Sequence, residues 1–106
     1  MNTERLLVKQ NDAYIGLIDY CLENPSDNLT WISLFIIHQK YQGNGTVTFV
    51  YQSFENMIKQ MNKKILRLAV HKQNERGLRF WSKLGYKIFK EVEYQGKLHY
   101  CLEKEI

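Results

Sequence analysis

Two short segments carry residue types that can do chemistry. The first is Gln42-Gly43-Asn44-Gly45-Thr46. It is polar, holds two glycines, and stands between an apolar run and a segment of helical spacing. The first N–H groups of a helix lack internal acceptors, and the helix dipole favours negative charge there. Glycine lets a backbone approach a ligand with no Cβ in the way. The chemistry of such a turn is capture of an anion, phosphate above all. A P-loop requires Lys-Ser/Thr after its last glycine, but Thr46-Val47 follows Gly45. A dinucleotide fingerprint requires Gly or Ala where Thr48 stands. A tight turn that simply needs glycine explains the segment equally well when it is read alone.

The second segment is Asn74-Glu75-Arg76-Gly77-Leu78-Arg79-Phe80-Trp81-Ser82-Lys83-Leu84-Gly85-Tyr86. It resembles the second signature of the GNAT N-acetyltransferase superfamily. That signature reads Asn, two residues, Ala, two residues, an aromatic, then Tyr, and ends in Leu-Gly-Phe/Tyr. Gln42 to Val47 is similar to the first signature of the same family, Gln/Arg-x-x-Gly-x-Gly/Ala. The two stand in the family's order with one strand between them, and the resemblance covers Leu6 to the C-terminus.

The resemblance implies a single acyl-CoA N-acyltransferase-like domain over residues 1–106. It implies acetyl-CoA as acyl donor and an amine of a small molecule or peptide as acceptor. Two parallel strands would splay apart, with the pantetheine arm between them, bonded by backbone groups of Ile36 and Ile37 as in strand addition. The turn formed by Gln42, Gly43, Asn44, Gly45 and Thr46 would hold the pyrophosphate. The Asn74 side chain would either bond the pantetheine or cap its own helix. Phe80 and Trp81 would line the thioester end. Lys40, Arg76 and Arg79 would stand near the adenosine 3′-phosphate or be ordinary solvated cations.

The sequence departs from the family in three places. Val47 stands where Gly or Ala is usual and is expected to crowd the pyrophosphate. Trp81 replaces a tyrosine whose hydroxyl can protonate the departing thiolate, and an indole N–H has no proton to give at usable pKa. A thiol of pKa about 8.5 still leaves tolerably as the thiolate. The chain also begins near the family's second strand, so an open acceptor side and a homodimer are expected. A carboxylate should take the proton of the amine, directly or through water. Asp19 and Glu23 are the candidates, and each is equally an ordinary surface charge. His38 and His71 each end a central strand, and His99 sits mid-hairpin as a structural residue. The alternative reading is a non-catalytic acyl-CoA-binding domain with a degenerate active site.

The elements that must position these residues follow from periodicity. Leu6–Gln10 and Ala13–Leu22 form a hairpin about Asn11-Asp12. Leu29–His38 is a strand whose stretch Leu34-Phe35-Ile36-Ile37 is apolar on both faces, as in a sheet centre covered by helices. Val47, Val50, Phe54, Met57/Ile58 and Met61 trace an amphipathic helix. Ile65–Val70 is a strand parallel to the preceding one. Asn74 opens a second helix and Gly85 closes it. Tyr86–Tyr94 and Lys97–Glu105 form a terminal hairpin. The class is α/β (α+β): a mixed, mostly antiparallel six-stranded sheet with a central parallel pair and two main helices.

Composition agrees with one folded domain. The chain has 106 residues with 44% hydrophobic content, enough to bury a core without disulfides or metals. Its charge of +4 is spread along the chain with no basic run, which disfavours nucleic acid as a partner. The two cysteines, Cys21 and Cys101, lie far apart and imply neither disulfide nor metal site. No apolar run reaches membrane-spanning length. A reducing cytoplasm is the expected compartment.

Overall fold

The computed structural model describes residues 2–106. Strands β1 (Glu4–Gln10) and β2 (Ala13–Cys21) turn about Asn11 and Asp12. Both turn residues have positive φ, 48° and 69°. That handedness matches the twist of the flanking strands. β3 (Thr30–Ile37) leads through a short 3-10 turn, Gln39–Tyr41, into α1 (Thr46–Gln60). β4 (Ile65–His71), α2 (Glu75–Lys83), β5 (Lys87–Tyr94) and β6 (Lys97–Glu105) complete the chain. The sheet order is β1-β2-β3-β4-β6-β5, and every neighbour pair is antiparallel except β3 and β4.

One face of the sheet carries the core. α1 buries Tyr51, Phe54 and Ile58 against Ile18, Tyr20, Ile32, Leu66, Leu68 and Leu102. Leu78, Trp81 and Leu84 of the α2 segment pack on the same cluster. Each fully buried Leu or Ile contributes about 2 kcal/mol by area. The opposite face is bare around β3. Leu34 is 37% and Ile36 48% exposed, so this strand is not covered on both sides as its apolar run suggests. Its apolarity belongs to a sheet with helices on one face only.

A bulge sets the direction of β3. Asp19 pairs with Leu34 and Tyr20 with Ile32, which leaves Ser33 without a partner. Such an extra residue bends its strand and re-aims the side chains beyond it. The parallel ladder with β4 holds only three pairs, Thr30–Leu66, Trp31–Arg67 and Ile32–Leu68. Past Ile32 the two strands part.

α2 is closed at both ends by local chemistry. The Asn74 Oδ1 accepts from the Gly77 N–H at 2.9 Å. Gly85 sits at φ 102°, and the Gly85 and Tyr86 N–H groups return to the carbonyls of Ser82 and Trp81. This is a Schellman cap, and the Tyr86 and Trp81 rings supply its apolar contact, 5.2 Å apart. Cys21 and Cys101 are free and buried. No helix among the described residues is long and apolar enough to cross a membrane.

Candidate functional site

The parting of β3 and β4 leaves a gap of about 240 Å³ between Ser33-Leu34-Phe35 and Ala69-Val70-His71. Phe35, Asn74 and Trp81 line both this gap and a larger cleft of about 470 Å³. The cleft continues along Ile37, Phe80 and Val47 to Gln42 and Gly43. The cleft and the gap thus adjoin, and together they form a channel that leads from the glycine turn towards the middle of the sheet.

The turn itself is left-handed at three successive residues, with φ 96° at Gly43, 53° at Asn44 and 77° at Gly45. Asparagine is among the few residues with a side chain that tolerate this region. Gly45 is the N-cap of α1 and has no side-chain cap. The Thr46 N–H is taken by the Gly43 carbonyl, and the Phe49 N–H by that of Gly45. Among the described residues, the N–H groups of Gly43, Asn44, Gly45, Val47 and Thr48 meet no acceptor. A Cβ at Gly43 or Gly45 would enter open space. The turn therefore offers free donors at a helix start and room above them, which fits a pyrophosphate.

The turn does not face one cleft as a unit. Gln42, Gly43 and Val47 line the channel, whereas Asn44, Gly45 and Thr46 line a neighbouring cleft beside Phe49. Val47 thus lines the channel beside Gln42 and Gly43. Arg76 stands across from Gln42 and Gly43. Arg79 is exposed, and Lys40 lies over the Tyr41 ring.

The β2–β3 register corrects the backbone assignment on β3. The His38 N–H bonds the Ile15 carbonyl at 2.6 Å, and Ile36 pairs with Leu17. Antiparallel strands alternate, so both backbone groups of Ile36 are directed at β2. Those of Phe35 and Ile37 face the gap. The Ile37 carbonyl already accepts from Gln42 Nε2 at 2.8 Å. Gln42 therefore ties the turn to the strand end, a role its side chain did not disclose. Phe35 is the strand residue that the sequence reading missed. The signal for it was the two-residue alternation from Ile37.

The closed end of the channel is aromatic. The Trp81 ring packs edge-on against Phe35, Tyr51, Phe80 and Tyr86 at 5.0–5.6 Å. Behind it lies a buried polar chain. Tyr51 Oη meets Tyr86 Oη at 2.8 Å and donates to Glu55 Oε1 at 2.9 Å, and Lys104 bonds the same carboxylate. Burial pushes both phenols well above their ordinary pKa, Tyr51 furthest. Tyr86 is 3% exposed, so its hydroxyl serves the core and not the channel. Burial alone would raise Glu55, but the Lys104 ammonium and the Tyr51 hydroxyl outweigh it and hold the carboxyl below its usual range.

The carboxylates nominated as bases are engaged elsewhere. Arg5 binds Asp19 through two bonds of 2.7 and 2.8 Å. That pairing is the main reason the Asp19 carboxyl sits below its ordinary pKa, which weakens it as a base. Glu23 is exposed and paired with Lys63, just before β4, at the end of the strands away from the gap. His38 Nδ1 accepts from the Lys40 N–H and caps the 3-10 turn. His71 and His99 lie side by side on β4 and β6, with ring centres 4.9 Å apart. No group of three or more His, Cys, Asp or Glu among the described residues converges as a metal site.

Comparison with known proteins places this geometry. The family model described as "Acetyltransferase (GNAT) family" matches residues 2–86. No curated protein matches the chain. Among solved structures, an acetyltransferase from Thermus thermophilus superposes with a TM-score of 0.80 at 18% identity, covering 98% of this chain and 64% of that one. The PaiA N-acetyltransferase from Thermoplasma acidophilum, in complex with coenzyme A, gives 0.76 at 18% identity, with coverage of 100% and 62%. Arabidopsis thaliana Naa50, in complex with the bisubstrate analogue CoA-Ac-MVNAL, gives 0.78 at 20% identity, with coverage of 96% and 72%. The chain spans less than two thirds of the length of the first two. With its family model, its paired signatures and its split sheet in agreement, the chain belongs to the acetyltransferase (GNAT) family.

Proposed function

We propose that this domain binds acetyl-CoA along the channel and transfers the acetyl group to an amine of a small molecule or peptide. The observation that carries the reading is the path from unpaired turn amides to a gap between two parallel strands. Free N–H groups at Gly43 to Gly45 and at the start of α1 would hold the pyrophosphate. The edge groups of Phe35 and Ile37 would bond the amides of the pantetheine arm as an added strand. Asn74 keeps its Oδ1 on the Gly77 N–H, which leaves its Nδ2 as a donor towards the same arm. A Cβ at Gly77 would lie 2.5 Å from that nitrogen, so glycine there suits the position Asn74 takes. Phe35, Phe80 and Trp81 would exclude water from the thioester end. Naa50 and PaiA support the ligand class by what they were solved with, a bisubstrate analogue and coenzyme A.

A second reading is a domain that binds acyl-CoA without turning it over. Trp81 favours it, because no hydroxyl faces the channel at the position where the family carries one. Isothermal titration with acetyl-CoA separates the lead reading from a bare fold. Saturable binding at micromolar concentrations is expected, and no binding at millimolar ligand would sink both readings. A thiol-release assay with a panel of amines and peptides then divides them, since binding without turnover selects the second.

A further inference from the structure

The helix-free face of the sheet has a cleft of its own, about 620 Å³ in volume. Ser33 and Ala69 line both this cleft and the gap between β3 and β4. The gap and this cleft therefore adjoin at Ser33 and Ala69, on the side of the sheet opposite the helices. Ala69 is small, which leaves the floor clear between Ser33 and the β6 residues.

The cleft contains few groups able to take a proton. Asp27 accepts from the Leu29 N–H, from Trp31 Nε1 at 2.8 Å and from Arg67 at 3.2 Å. Arg67 also bonds Glu103 and stacks over the Phe89 ring at 4.1 Å. Lys90 is a cation with no lone pair to offer. Cys101 is buried, and burial pushes its thiol up. His99 remains. Its Nδ1 lies 3.1 Å from the Lys97 carbonyl. A carbonyl only accepts, so the ring hydrogen sits on Nδ1 and Nε2 keeps a lone pair. His71 packs against the ring from β4 and Tyr94 from β5, at 4.9 and 6.2 Å between centres. The remaining ionisable groups along the cleft are Asp27, Arg67, Lys90 and Cys101.

We propose that Nε2 of His99 is the proton acceptor for an amine that enters by this cleft. The proposal rests on the reading of the chain as an acetyltransferase. His99 takes one proton from the incoming ammonium and passes it to solvent. The freed nitrogen lone pair attacks the thioester carbonyl carbon, and a C–N bond forms. The C–S bond breaks, and sulfur leaves with its electron pair. The second nitrogen proton reaches that sulfur through water, so CoA departs as the thiol. The Trp31, Phe89 and Tyr94 walls, with no carboxylate left unpaired, suit an amine on an aromatic or apolar carrier.

The test uses His99→Gln and His99→Ala in the whole chain, with acetyl-CoA and arylalkylamines, polyamines and short peptides as acceptors. Acetyl-CoA affinity should stay within about twofold, since His99 lies off the donor channel. In His99→Gln, kcat/KM should fall about 100-fold or more, the range of a general base. Added imidazole should restore part of the rate in His99→Ala. A His99→Gln protein with wild-type kcat/KM, or a His99→Ala protein that imidazole does not speed, overturns the assignment while the acetyltransferase reading stands. A wild-type chain that binds acetyl-CoA yet releases no thiol with any acceptor overturns both.

Discussion

At position 81 stands an indole, where the resemblance to the second signature leads one to expect a phenol. Trp81→Tyr would put a hydroxyl on the channel wall beside the leaving sulfur. Thiol release is expected to rise on the order of tenfold, at a packing cost of about 1–2 kcal/mol. Stopped assays and urea titration read the two effects separately, and an unchanged rate would show that the thiolate needs no acid here. Gly45 has a sharper constraint, because its φ of 77° strains any side chain. Gly45→Ala should lower stability by about 1 kcal/mol and weaken acetyl-CoA binding, as calorimetry would report. Glu55 contributes to stability in a pH-dependent way. Its carboxyl is held below the usual range in the folded state, so its contribution is complete above the unfolded pKa of about 4.3. That contribution is lost as pH falls through the folded value. Glu55→Gln leaves Lys104 without its partner and should cost roughly 3 kcal/mol at neutral pH. The urea midpoint of the variant should then fall less than the wild type's between pH 6 and pH 3.

At the scale of elements, Asn74 caps α2, and the proposed function adds a binding role for its side-chain amide. Asn74→Asp keeps an acceptor for the Gly77 N–H but removes the amide donor. Its stability should match wild type within about 0.5 kcal/mol, while acetyl-CoA affinity falls. Asn74→Ala should lose about 1 kcal/mol of stability as well. Equal affinity in all three proteins would leave Asn74 as a cap alone. Both helices and all six strands were legible from periodicity and from Asn11-Asp12 and Gly85, because local chemistry dictates them. The direction of β3 was not. Its run Leu34 to Ile37 looks buried on both faces, yet the Ser33 bulge and a one-sided helix layer expose Leu34 and Ile36. The left-handed turn before α1 was readable from its glycines, but the tie from Gln42 to the Ile37 carbonyl depends on where β3 ends. Asp19 looked like a base because its partner Arg5 is 14 residues distant, across a hairpin register that spacing alone does not fix. His99 read as a structural residue, because its neighbours His71 and Tyr94 come from two strand registers that spacing does not fix.

The whole molecule has a clothed face and a bare one. Leu34, Ile36 and Leu7 are exposed on β1 and β3, an apolar surface at which a second copy of the chain is expected. Sedimentation velocity should show self-association that Ile36→Lys reduces, with the circular dichroism spectrum unchanged. A wild-type chain that sediments as a monomer at all concentrations would remove that expectation. The short parallel ladder has a further consequence. The sheet is two antiparallel halves, β1-β2-β3 and β4-β6-β5, joined by three residue pairs. Strand amides along that seam should exchange with deuterium sooner than those within either half, since fewer cross-links must open. A pantetheine arm lying in the gap would stitch the halves together. The donor would then act as a missing strand, and the domain would be most rigid while it holds the group it is about to give away.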